Sequence, residues 1–187
     1  GLDPSDYKFQ NAPYQGYNKV YPYYIGRRTG LEIHNEAHGG ATMAYLDGNH
    51  NEFSNTIYRT IPSDADYVTI WFGGNDCNHH IPLGNIDDAV NTTFYGAWNV
   101  VLDWITQNRP YIKVGIVITP ACSDNAYPEA IIAIAKKWGI PYLDLNGDYK
   151  LPLVIRVSGR PDTSTLAKNR ANLKYRVTAE NPHPNVE

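Results

Sequence analysis

Tyr67-Val68-Thr69-Ile70-Trp71-Phe72-Gly73-Gly74-Asn75-Asp76 is the stretch that decides the fold. An unbroken run of β-branched and aromatic residues, cut off by a glycine pair, reads as a buried strand. Asn75 and Asp76 then fall in a polar loop at its carboxyl end. Downstream, Phe94, Ala97, Val101, Trp104 and Ile105 recur at helical spacing and predict a helix from about Asn91 to Asn108, closed by Arg109-Pro110. Ile112 to Thr119 predicts a second strand, stopped by Pro120. Asp124 or Asn125 can cap the next helix, which has Pro128 in its first turn, Ile131, Ile134, Ala135 and Trp138 on one face, and Gly139 at its end. Ile140 to Leu145 adds a third strand. The order β-α-β-α-β implies a parallel sheet covered by helices, an α/β fold of three α/β/α layers.

Outward from this centre the pattern is less regular. Tyr17, Val20, Tyr21, Tyr24 and Ile25 predict a helix from Tyr17 to Arg28, ended by Thr29-Gly30. Leu31 to Asn35 alternates as a short strand would, and His38-Gly39-Gly40 turns it into a loop. Beyond Asn146 an irregular region is expected, with one short helix around Thr165 to Leu173. No repeat or linker divides the 187 residues, so residues 1–187 form a single domain.

Composition narrows the function. With 42% apolar and 19% charged residues the chain is globular. Its 16 basic and 19 acidic residues, net charge −3, are spread along the chain and offer no basic stripe for nucleic acid. No apolar run approaches the roughly 20 residues that span a bilayer, and no leader opens the chain, so it is expected to be soluble as given. Cys77 and Cys122 are too few for a disulfide framework and are not spaced as a metal knuckle; both follow strand ends and could be neighbours. The 15 tyrosines and 4 tryptophans suit either ordinary core and rim packing or a surface that meets sugars.

Ligands of an open parallel sheet bind outside the carboxyl ends of the strands. Three polar clusters stand at such places or at the far end of the chain: Asn35 to Thr42, Gly73 to Asp76, and Glu180-Asn181-Pro182-His183-Pro184-Asn185. Taken singly, each has an ordinary explanation as a turn, a loop or a solvated tail. Together, and in this order, Asn35-x4-Gly40-x-Thr42, Gly73-x-Asn75-Asp76 and the acid-x-x-His-Pro pattern resemble the second, third and fifth sequence blocks of the SGNH (GDSL-like) hydrolases. Similarity continues in Ile81-Pro82-Leu83-Gly84, Thr93 to Ala97 and Ile140 to Asp144, spanning about Tyr17 to Asn185.

The resemblance implies the flavodoxin-like parallel sheet of the SGNH hydrolase fold and a serine esterase or acylhydrolase. It implies that His183 is the general base, that Glu180 orients it in place of the family's aspartate, and that the Gly40 N–H and the Asn75 side-chain amide form the oxyanion hole. No cofactor and no metal is implied: His79-His80 and His34/His38 lack the carboxylates or thiolates that would complete a zinc site. The substrate is expected to be a small-molecule or carbohydrate ester, with small acyl groups on sugars suiting the aromatic content. Asn91-Thr92-Thr93 is a formal glycosylation sequon.

One block has no counterpart. The family's first strand ends in a Gly-Asp-Ser-like turn that presents the nucleophile, whereas this sequence opens Gly1-Leu2-Asp3-Pro4-Ser5-Asp6. Such a Gly-Leu-Asp stretch resembles the residues a little downstream of that serine. Ser5 is the fallback nucleophile; the expectation is that the serine lies on another segment or chain, which also supplies the first strand, and that the last helix is lacking as well. The alternative is a catalytically inactive module that binds carbohydrate or protein.

Overall fold

The computed structural model describes residues 21–118 and 124–145, together with the backbone at 156–157 and 160–161. Helix α1 is Tyr21–Thr29. A 3-10 turn, Ile57–Thr60, precedes strand β1, Tyr67–Ile70, and the short helix α2, Gly74–Asn78. Helix α3, Phe94–Asn108, leads to β2, Lys113–Ile118; helix α4, Ala126–Trp138, leads to β3, Tyr142–Asp144. A two-residue antiparallel pair comes last, β4 (Arg156–Val157) with β5 (Arg160–Pro161).

The sheet has the order β1-β2-β3 and is parallel throughout, with Ile70 level with Ile116 and Ile116 level with Tyr142. Because the order advances in one direction, right-handed crossovers bring α3 and α4 to the same face, where the two helices pack on each other and α4 also packs on β2. That face carries the core. Phe94, Ala97, Trp98, Val101 and Ile105 form one stripe of α3, and Ile131, Ile134 and Ala135 one stripe of α4, all closed over Ile70, Ile116 and Ile118. Trp98 is wholly buried. Side chains alternate across a strand, so Thr69 and Trp71 lie opposite Ile70; there the Tyr21 hydroxyl is 3.1 Å from Thr69 Oγ1, and the Tyr21 ring is 5.8 Å from that of Trp71. Helix α1 thus meets this face through its first residue.

Helix ends obey local chemistry. Thr93 caps α3 by accepting the Gly96 N–H, so this helix starts nearer Phe94 than Asn91. Of the two candidates for α4, Asp124 performs the cap, accepting the Ala126 N–H at 2.9 Å, while the Asn125 side chain caps nothing.

Two expectations need correction. Leu31 to Asn35 is not a strand, since no backbone ladder forms there, and Leu31 is 43% exposed. Alternation can mark a half-buried strand, but a strand also requires a ladder to a neighbouring strand, and this stretch belongs to neither sheet among the described residues. Gly74 to Asn78 is a helical turn, not a loop. The helix expected at Thr165 to Leu173 and the residues ahead of Tyr21 lie outside the described residues.

Candidate active site

The site is built where β1 ends. Gly73 sits at φ 111°, a conformation closed to residues with a Cβ, and so turns the chain from the strand directly into α2. The turn places Asn75 and Asp76 side by side at the carboxyl end of the sheet.

Both residues reach the same partner, the segment around residues 40–44. Asn75 Nδ2 donates to the Ala41 carbonyl at 2.8 Å. Asp76, wholly buried, accepts the Met43 N–H at 3.0 Å on each carboxylate oxygen and the Ala44 N–H at 3.0 Å on Oδ1. The far side of the segment is also fixed. Phe53 and Ser54 donate their N–H groups to Thr42 and Met43, the Thr42 hydroxyl donates to the Ala44 carbonyl, and Asn49 Nδ2 donates to Thr42 Oγ1. Buried Glu52 takes the Leu46 N–H. At the near end, exposed Gly40 has φ 76° and turns the chain into this clamped stretch.

Electrostatics set Asp76 apart. Burial pushes its carboxyl up to about 6, against the pull of the N–H groups of Ala44 and Met43 and, more weakly, of its own and that of Gly73. Tyr127 of α4, whose hydroxyl donates to the Ile81 carbonyl at 2.6 Å, is raised first by burial and then by the charges of Asp124 and Asp76.

Gly40 and Asn75 are therefore brought together, one residue apart across the Asn75–Ala41 hydrogen bond. His183, Glu180, Ser5 and Cys122 lie outside the described residues. Asn35 closes an Asx turn by accepting the Ala37 N–H, and its buried Nδ2 has no partner among the described residues. Cys77 is disulfide-bonded; Cys122 is the only other cysteine in the sequence. His79 and His80 are exposed, and among the described residues no group of three or more His, Cys, Asp or Glu side chains could hold a metal ion. Asp76 was not among the expected site residues. The available signal was an acid placed between a buried strand and the apolar Cys77 and Ile81, where a charge must find fixed donors.

Polar groups thus converge beyond the carboxyl end of β1 in a parallel α/β fold. The chain belongs to the GDSL-like lipase/acylhydrolase family, whose sequence model matches residues 4–187. No curated protein is significantly similar in sequence. Solved structures are similar in fold. A candidate GDSL-like lipase from Bacteroides uniformis superposes with TM-score 0.69 at 14% identity, over 92% of this chain and 83% of that one. A second, from Bacteroides ovatus, gives 0.65 at 17% identity, over 85% and 78%. A protein from Lactobacillus plantarum gives 0.60 at 21% identity, over 81% and 86%. The family is one of esterases and acylhydrolases.

Proposed function

We propose that the chain is a serine carboxylic ester hydrolase whose oxyanion hole is formed by the Gly40 N–H and the Asn75 side-chain amide. The observation that carries this reading is the 2.8 Å bond from Asn75 Nδ2 to Ala41 O, which seats the amide beside the residue following Gly40. An amide nitrogen has two protons. With one engaged by Ala41, the other has a fixed direction and is available to a substrate oxygen.

In the proposed reaction a serine hydroxyl, from Ser5 or from a segment preceding residue 1, attacks the ester carbonyl and forms the new C–O bond. His183, oriented by Glu180, takes the hydroxyl proton and returns it to the leaving alcohol as the ester C–O bond breaks. Water then attacks the acyl-serine by the same route, with His183 again as base. The developing oxyanion is stabilised by Gly40 and Asn75. Small acyl esters of carbohydrates are the proposed substrates, supported by the exposed Tyr45 ring directly after the clamped segment. Neither cofactor nor metal has a part in this chemistry.

A fluorophosphonate probe combined with intact-mass measurement tests the reading. An adduct, mapped to Ser5 or to an upstream peptide, is expected and locates the nucleophile. A protein with no adduct and no turnover of p-nitrophenyl acetate would instead be a module that binds carbohydrate or protein.

A further inference from the structure

Asp76 has no place in the reaction as written, yet it is a wholly buried carboxylate adjacent to Asn75 on the same turn of α2. Its two strongest partners are on the other wall of the site. Met43 N and Ala44 N, 33 and 32 residues away in sequence, both point at it. These two N–H groups and the Ala41 carbonyl held by Asn75 lie within four consecutive residues, so α2 grips the segment at both ends of that stretch. A shift of the segment along α2 would break several bonds at once. Gly40, immediately before it, would move too.

We propose that Asp76 is a positioning residue of the oxyanion hole: by holding the Met43 and Ala44 N–H groups it fixes residues 40–44 against α2, so that the Gly40 N–H and the second Nδ2 proton of Asn75 face one oxygen. This rests on the ester-hydrolase reading above. The arrangement suits catalysis better than stability. An apolar residue of similar size would fill the place without the cost of burying a charge, and burial already strains the ionised form. The carboxylate adds what an apolar group lacks, two oxygens that take both donors from one point. Donors that stabilise charge only in the transition state must be placed before it forms.

The experiment compares Asp76→Asn with Asn75→Ala, assayed on p-nitrophenyl acetate, with active sites counted by fluorophosphonate labelling. Asp76→Asn keeps the shape and one acceptor oxygen but turns an NH2 group toward backbone donors. Its kcat per labelled site is expected to fall about 10- to 100-fold, with KM within about twofold, because oxyanion donors act on the transition state. An unchanged kcat per site, with only a lowered melting temperature, would mean that Asp76 is merely structural and overturn the inference. If Asn75→Ala also leaves kcat unchanged, or if the parent protein neither turns over nor labels, the site reading itself fails. Should Asp76→Asn not fold, amide hydrogen exchange of the parent protein decides the matter. Slow exchange at Met43 and Ala44 is expected, before and after phosphonylation, and fast exchange at both would overturn the clamp.

Discussion

Two polar networks in this molecule hold loops in place, one around Asp76 and the other around Asn99, and they do so by opposite means. Asn99, buried in α3, donates both Nδ2 protons at 2.8 Å, to the Ile86 and Asp88 carbonyls, and accepts the Trp138 indole N–H at 2.9 Å. Every partner is neutral. The network pins the stretch between α2 and α3, which the Asp88–Thr93 hydrogen bond closes further. Asp76 instead brings a charge into the interior and gathers backbone donors around it. A neutral amide suffices to stiffen a loop. A carboxylate adds two acceptors on one carbon, at a cost in stability, and it stands where the proposed oxyanion donors need register.

The largest effect that could break this comparison is at Asn75. Asn75→Ala should reduce kcat about 100- to 1000-fold with little change in KM, as loss of one oxyanion donor does. Steady-state kinetics on a chromogenic ester would show it. A loss confined to KM would place Asn75 in ground-state binding and leave the Asp76 side of the molecule without a catalytic purpose.

Next in size is the dependence of stability on pH that the buried charge of Asp76 produces. Ionised Asp76 is disfavoured in the fold, so its carboxyl, raised from 3.8 to about 6, holds a proton that the unfolded chain has already released. Below about pH 4 both states are protonated and its contribution is fully present. As pH rises to about 6 the unfolded state binds fewer protons than the native one, and about 3 kcal/mol of stability is lost by linkage. Asp88, lowered mainly by the Asn85 N–H and the Thr93 hydroxyl, acts in the opposite sense, so the raw profile mixes the two. The difference between Asp76→Asn and the parent isolates the Asp76 contribution. In urea titrations the variant should gain relative stability across that window; parallel profiles would show that Asp76 carries no buried charge. At neutral pH the variant can be as stable as the parent while its kcat is lower.

How much of this the sequence shows depends on the range of the interaction. β1, β2 and β3 are legible because Ile70, Ile116 and their neighbours form short β-branched runs ended by Gly73, Pro120 and Asn146, and α3 and α4 because Trp98, Val101, Ile131 and Ile134 repeat at helical spacing. Gly40 and Asn75 could be named from motif resemblance alone, and their juxtaposition comes from one hydrogen bond across 34 residues. Asp76 was not legible in the same way. Its partners are backbone N–H groups, which nearly every residue possesses, so nothing about the identities of Met43 or Ala44 points back to it. Leu31 to Asn35 misleads for the converse reason: its alternation is local, but strand formation needs a neighbour supplied from elsewhere. The aromatic residues divide, with Trp98, Tyr58 and Tyr127 in the core and Tyr45, Tyr67 and Tyr111 at the surface, so composition alone could not choose between packing and sugar recognition.

The neutral network should fail differently. Asn99→Ala takes the partner from the Trp138 N–H and the Asp88 carbonyl and leaves the Ile86 carbonyl with Lys137 Nζ alone, and about 1–3 kcal/mol of stability should go. The loss should be the same at pH 5 and pH 8, since no member of that bond set titrates there. Urea midpoints at the two pH values measure it. A strongly pH-dependent loss would mean that the Asn99 network is coupled to a charge after all, and the contrast with Asp76 would weaken.

The smallest effect is expected at Lys137, which shares an acceptor with Asn99. Ile86 O receives Asn99 Nδ2 from inside and Lys137 Nζ from outside, both at 2.8 Å, and Nζ also lies 3.0 Å from Asp87. Asp87 is 85% exposed, so water can replace the ammonium at little cost, and surface pairs of this kind contribute between zero and about 1 kcal/mol. Lys137→Met should therefore shift stability by less than about 0.5 kcal/mol, and adding salt should remove even that. A loss as large as that of Asn99→Ala would mean that the loop is held from outside, by a charge. Burial would then no longer be what separates the strong polar contacts of this fold from the weak ones.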